Sequence, residues 1–146
     1  MGQEELDETI SEIRVGDVMT HPVITALPSE TIVSVARKMA ENDIGSIVVI
    51  DSKGIVVGIV TEADIVRRVV APARDPRKTL VEEIMTRNPV VVREDTPLHR
   101  AVSIMVSRGI GHLPVVDEAG RPIGIVARSD IAKLAPGLLE KASLMI

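Results

Sequence analysis

Residues 39–65 read MAENDIGSIVVIDSKGIVVGIVTEADI, and residues 105–131 read MVSRGIGHLPVVDEAGRPIGIVARSDI. At a constant shift of 66 positions the two stretches share Met39/Met105, Ile44/Ile110, Gly45/Gly111, Val49/Val115, Asp51/Asp117, Gly54/Gly120, Gly58/Gly124, Ile59/Ile125, Val60/Val126, Asp64/Asp130 and Ile65/Ile131, eleven of 27. Self-similarity over this length marks a repeated supersecondary unit. The echo reaches upstream: Val18-Met19-Thr20 matches Ile84-Met85-Thr86, and Pro22-Val23 returns as Pro89-Val90 with one residue of slippage. Two copies predict a pair, with a cleft between its members.

Within each copy the periodicity changes in the same order. A short β-branched segment, Val23 to Ala26 or Val90 to Val92, reads as a strand. A helical stretch follows, Thr31 to Asn42 or Leu98 to Arg108; in the first copy Ile32, Val35, Ala36, Met39 and Ala40 recur at spacings of three and four, giving one apolar face. Two strands come next, Ser46 to Ile50 and Ile55 to Val60, joined by the hairpin loop Asp51-Ser52-Lys53-Gly54. Their counterparts are Leu113 to Val116 and Pro122 to Ala127, with Pro114 and Pro122 at strand starts or an edge because neither has an N–H to give. A second helix opens at Thr61 or Arg128.

The order is β-α-β-β-α, twice. A short helix before each copy, Val15 to Met19 and Val81 to Met85, is expected to cap it. The expected layout is an acidic leader over 1–14, a first domain over 15–70, a linker over 71–78 marked by Pro72 and Pro76, a second domain over 79–136, and an apolar tail over 137–146.

Composition narrows the function. Hydrophobic residues at 45% and charged residues at 26% suit a globular chain of 146 residues with room for two small domains that share a core. Aromatic content is 0%, so nothing bound here is held by ring stacking. A net charge of -4 gives no general pull toward nucleic acid or anionic membrane. With no cysteine there is no disulfide, thiolate metal site or cysteine nucleophile. Glu4, Glu5, Asp7 and Glu8 stand where a secretory signal would be basic, and no apolar run is long enough to span a bilayer. A soluble, cytoplasmic protein is expected.

The sharpest local signal is Gly58-Ile59-Val60-Thr61-Glu62-Ala63-Asp64 and its echo Gly124-Ile125-Val126-Ala127-Arg128-Ser129-Asp130. Each lies where a strand ends and a helix begins, where unpaired N–H groups welcome a polar ligand. Gly58 and Gly124 would let a ligand or another backbone approach the strand. Thr61-x-x-Asp64 is equally a helix start that needs no ligand. Ala127 cannot cap, yet Asp130 is present, so the second junction calls for another explanation of its carboxylate.

Two β-α-β-β-α copies, each with a Met-Thr entry, an Ile-Gly stretch running to Asp and a closing Gly-apolar-apolar-x-x-x-Asp, resemble a tandem pair of cystathionine beta-synthase (CBS) domains, the Bateman module. The likeness spans about Val15 to Leu134. It implies an α/β (α+β) fold of two repeats packed as a pseudo-two-fold pair, each a small sheet with helices on one side. It also implies a stand-alone regulatory module that binds AMP, ADP, ATP or S-adenosylmethionine in the cleft and signals to a partner, with no catalytic cofactor.

Carried over position by position, the resemblance gives the ribose to Asp64 and Asp130, with Thr61 and Ser129 as the retained hydroxyls and Ala63 and Ala127 as departures. An ionised carboxylate suits a diol because it accepts from both hydroxyls. Adenine falls to Thr25, Ala26 and Leu27 with Ile47 and Val48, and to Val92, Arg93 and Glu94 with Leu113 and Pro114. The phosphate falls to His112, where the first copy has Ser46, and to Arg128, where it has Glu62; exchange between copies would make the Asp64 site the better phosphate site. A strand-end histidine bonded to backbone is the plain alternative for His112.

Rival functions are fewer. His21, His99 and His112 lack metal-ligand spacing, and no nucleophile elbow or phosphate-binding loop is present, so neither an enzyme nor a metal site is expected. Arg67, Arg68, Arg74, Arg77 and Lys78 cluster near the linker and make a nucleic-acid-binding accessory protein one alternative, though without aromatic residues no stacking platform exists. A dimeric interaction scaffold without ligand is the other. The resemblance also implies a homodimer through the helices, for which Val102, Met105 and Val106 would serve as a face.

Overall fold

Hydrophobic spacing and a few end signals define every long element. In this computed structural model the described residues are Gly2, Glu4 and 13–134. The apolar tail over 137–146 and nearly all of the acidic leader lie outside them. In chain order the elements are α1 (Val15–Val18), β1 (Thr25–Ala26), α2 (Ile32–Asn42), β2 (Ser46–Ile50), β3 (Val56–Thr61), α3 (Glu62–Ile65), a π-helical segment (Val66–Val70), α4 (Val81–Ile84), β4 (Thr86–Arg87), β5 (Val92–Arg93), α5 (Leu98–Arg108), β6 (His112–Val116), β7 (Pro122–Ala127) and α6 (Arg128–Ala132).

Helix α2 begins because the Thr31 hydroxyl accepts the Ser34 N–H at 3.2 Å. It ends where Asp43 turns left-handed at φ 51°, a conformation that Gly109, at φ 63°, supplies without strain after α5. Each helix buries one stripe: Ile32, Val35 and Met39 in α2, and Leu98, Ala101 and Met105 in α5. The expectation that Met105 helps form an exposed dimer face is therefore corrected. At 2% exposure it is a core residue, because helical spacing carries the stripe from Leu98 and Ala101 onto it.

The first copy builds a four-stranded sheet in the order β1-β2-β3-β4, with β1 parallel to β2 and the remaining pairs antiparallel. The second builds a three-stranded sheet, β5-β6-β7, with β5 parallel to β6. Strand alternation gives each sheet one core face. Ala26, Ile47, Val49 and Val60 join the α2 stripe in one core, and Val92, Leu113, Val115 and Val126 join the α5 stripe in the other. Each buried Val, Leu or Ile stabilises its unit by roughly 1.5–3 kcal/mol over exposure.

The leading helices do not cap their own copies. One compact unit holds Val23–Pro89 with Ala119–Pro122; the other joins the residues up to Pro22 to Val90–Glu118 and to those from Ile123 on. Val81, Ile84 and Met85 complete the first-copy core, while Val15 lies in the second-copy core with Val18 and Met19 packed against it. The hydrogen bonds repeat the exchange at the shift of 66. Val81 and Glu82 donate to the Glu30 and Pro28 carbonyls at 2.8 and 3.1 Å, as Val15 and Gly16 donate to Thr96 and Glu94, both at 2.8 Å. Likewise β4 pairs Thr86 with Ile59, and Thr20 bridges Ile125.

That exchange explains the repeated Met-Thr and glycine together. A Cβ at Gly58 would collide with the Met85 sulfur, and one at Gly124 would stand 2.6 Å from that of Met19. The glycines admit a methionine side chain and also the backbone approach expected from the sequence, since the Thr86 and Thr20 carbonyls would each stand 3.1 Å from such a Cβ. Among the described residues no helix is long and apolar enough to cross a membrane.

Candidate functional site

The strand register collects the candidate residues on the sheet face turned away from the α2 core. Thr25 pairs with Val48, Val48 with Ile59, Ser46 with Thr61, and Ile59 with Thr86. Directly opposed residues share a face, so the hydroxyls of Thr25, Ser46, Thr61 and Thr86 surround the buried Val48 and Ile59. Of the predicted adenine residues, Thr25 and Val48 fall on this face. Ala26 and Ile47 fall on the other, inside the core. Leu27, at 46% exposure, follows β1 and donates its N–H to Glu30 Oε2 at 2.7 Å.

In the second copy, β5 pairs Val92 with Val115, as β1 pairs Ala26 with Val49. Val92 thus stands in the place of Ala26, and the residue in the place of Thr25 is Val91, 40% exposed. The slippage at the Pro-Val entry carries this signal. Val92 and Leu113 are core residues, whereas Pro114, His112, Ala127 and Thr20 occupy the positions of Val48, Ser46, Thr61 and Thr86. Arg93 is partly exposed and its N–H donates to Thr96 Oγ1 at 3.0 Å.

The strand-to-helix junctions are built alike. Glu62 N–H donates to the Gly45 carbonyl at 3.0 Å, and Arg128 N–H donates to Gly111 at 3.1 Å, tying each Ile-Gly to its closing helix. This places Arg128 beside His112. Arg128 is exposed, and its side chain lies 3.4 Å from where a Gly111 Cβ would be. Ser129 is exposed one residue before Asp130.

The carboxylates differ. Thr61 and Asp64 form a reciprocal capping box: the hydroxyl accepts the Asp64 N–H at 3.2 Å and Asp64 Oδ2 accepts the Thr61 N–H at 2.9 Å. Asp64 Oδ1 stands 3.8 Å from Arg68 Nε, within ion-pair range but beyond hydrogen-bond range. At the other junction Asp130 Oδ2 accepts the Ala127 N–H at 2.8 Å, and Ala127 offers no hydroxyl in return. Asp130 Oδ1 accepts instead from the Thr20 hydroxyl at 2.9 Å, and Asp130 is 7% exposed. Thr20 is the residue that sequence reading missed, though its Met-Thr repeat was in view.

A second missed group braces β1. Lys38 Nζ donates to the Thr25 carbonyl at 2.9 Å and pairs with Glu30 Oε1 at 2.8 Å, which also accepts from the Ser34 hydroxyl at 2.8 Å. Burial acts to raise the Glu30 carboxyl, but the bonds from Lys38, the Leu27 N–H and Ser34 outweigh it and hold the group below its usual range. An open cavity of about 550 Å³ touches the candidate residues at Leu27 alone and carries Asp51 and Glu82 on its wall. Two of the linker cations are paired, Arg74 with Glu83 at 2.8 Å and Arg77 with Asp75 at 3.2 Å, while Arg68 donates to the Ile84 carbonyl at 2.8 Å. Among the described residues no three His, Asp or Glu side chains group as metal ligands.

A family model described as the CBS domain matches residues 15–71 and again 81–137. An uncharacterized protein of Methanopyrus kandleri is 41% identical over 87% of this chain and 65% of its own length, so the chain spans less than two thirds of that relative. A CBS domain pair solved in complex with 5′-methylthioadenosine and S-adenosyl-L-methionine is 34% identical, with TM-score 0.77 over 85% of this chain and 96% of that one. A CBS domain protein from Pyrobaculum aerophilum solved with AMP is 28% identical, with TM-score 0.80 over 90% and 99%.

Proposed function

The chain belongs to the CBS domain family, and from that premise we propose that it is a regulatory module that binds an adenosine-based ligand and passes its bound state to a partner. The relatives solved with S-adenosyl-L-methionine and with AMP support this class of ligand. The observation that carries the reading is the Asp64 carboxylate. Its Oδ2 is fixed by the Thr61 N–H, while Oδ1 has no hydrogen-bond donor among the described residues, so an acceptor of set orientation stands ready for ribose hydroxyls.

In this reading Thr25 and Val48 meet the base and Thr61 helps hold the sugar. The effect on a partner comes from differential affinity: the ligand shifts the protein toward whichever conformation binds it more tightly. No catalytic step belongs to it. The nucleic-acid alternative has less support, because Arg74 and Arg77 already have carboxylate partners. Self-association, in a cytoplasmic setting, finds support in Val66 and Val70, four residues apart and 58% and 64% exposed.

Thermal shift and calorimetry against AMP, ADP, ATP and S-adenosylmethionine test the proposal. At a ligand concentration one hundred times Kd, binding should stabilise the fold by about 2.7 kcal/mol. The Asp64→Ala protein should lose that gain and remain folded. A flat response to all four compounds would sink the reading.

A further inference from the structure

Resting on the proposed adenosine-ligand reading, we infer that the chain binds one such ligand per molecule, at Asp64, because its own Thr20 side chain occupies the equivalent carboxylate at Asp130. The two aspartates hold the same repeat position, and each commits Oδ2 to the N–H that opens its helix, 2.9 Å at Asp64 and 2.8 Å at Asp130. What distinguishes them is Oδ1. At Asp130 it receives the Thr20 hydroxyl at 2.9 Å, a geometry like that of an alcohol group of a bound sugar. At Asp64 it receives no hydroxyl from the described residues, and Arg68 Nε stands 3.8 Å away.

The bridge between Thr20 and Ile125 is the cause. Thr20 and Thr86 stand at matching positions, bridged to Ile125 and Ile59. Both threonines are exposed, but the Thr20 hydroxyl donates to the buried Asp130 carboxylate, a bond with no Thr86 counterpart among the described residues. A diol arriving at Asp130 must displace a donor already aligned, so its first hydrogen bond brings no net gain. At Asp64 the same bond is new. The missing hydroxyl at Ala127 removes a further polar contact from the occupied junction. Thr20 is thus a specificity-determining residue that acts through Asp130.

Calorimetric titration with AMP, repeated with S-adenosylmethionine, reads the stoichiometry directly. The wild-type protein should bind one ligand per chain and Asp64→Ala none, while Asp130→Ala keeps the wild-type value. Thr20→Val, which removes the hydroxyl and keeps the shape, should bind two. Thr20→Ser, which restores the donor, should return to one. The double variant Asp64→Ala/Thr20→Val should bind one, where Asp64→Ala alone binds none.

Two ligands on the wild-type chain, or one on Thr20→Val with Asp64 intact, would overturn the inference. If neither compound binds any variant, the adenosine reading itself fails. Binding only once Thr20 is replaced would keep the closure of Asp130 and remove the assignment to Asp64. Should Thr20→Val not fold, wild-type crystals soaked in AMP decide: nucleotide at Asp64 alone supports the inference, and nucleotide at Asp130 refutes it.

Discussion

The two strand-to-helix junctions share backbone and carboxylate, yet Thr61–Asp64 closes on itself while Ala127–Asp130 is closed from 110 residues away by Thr20. The difference teaches that a repeated residue fixes where a group stands but leaves open what it is free to do. The turns after β1 and β5 say the same. In the first copy Glu30, Ser34 and Lys38 brace that turn through an ion pair. In the second, Thr96, at the position of Glu30, does so with one hydroxyl accepting the Arg93 N–H.

The comparison is strained most by emptying equivalent core positions. Ile47 and Leu113 are both fully buried, so Ile47→Ala and Leu113→Ala should each cost about 2–5 kcal/mol. Urea unfolding followed by far-UV circular dichroism measures both, since the chain has no fluorescent ring. A loss below 1 kcal/mol at either position would show that the cores are not equivalent in strength.

Smaller effects belong to the caps. Thr61→Ala removes an N-cap hydroxyl and should cost about 1 kcal/mol. Ala127→Thr supplies one and should restore part of that amount to the other junction. If both substitutions shift the urea midpoint in the same direction, the claimed contrast between the junctions is wrong.

The finest test is acid. Glu30 titrates below its usual 4.5 in the folded chain, so the stability it contributes is present in full above that value. It is lost as pH falls through the lowered folded value. Glu30→Gln should therefore flatten the acid limb of the stability profile just below pH 4.5 and leave the neutral region parallel. The equivalent Thr96→Ala should leave the acid limb unaltered in shape. An unchanged limb in Glu30→Gln would place the acid sensitivity elsewhere.

Most of the fold was legible because its determinants are local. The β-branched run in Ser46 to Ile50, the stripe of Ile32, Val35 and Met39, and the loop at Asp51 to Gly54 are each written within a few residues. The exchange of leaders was not, because Val15 and Val81 present the same apolar side chain and either would fill either core. At the candidate site the sequence located the aspartates but could not separate them. The separating contact joins residues at opposite ends of the chain, and only the lone Ala127, a missing cap beside a retained carboxylate, hinted at it. Val92 and Val91 were confused for a related reason: one residue of slippage reverses the face of a strand.

The exchanged leaders also constrain dissection. Val15 and Val81 are each fully buried in the core of the copy they do not precede, and each donates its N–H to that copy, to Thr96 and to Glu30. A cut at the linker therefore parts each core from one of its buried side chains and one of its hydrogen bonds. The seam between repeats in the sequence is not the seam between folding units, and a truncation meant to isolate one copy has to carry the helix that precedes the other.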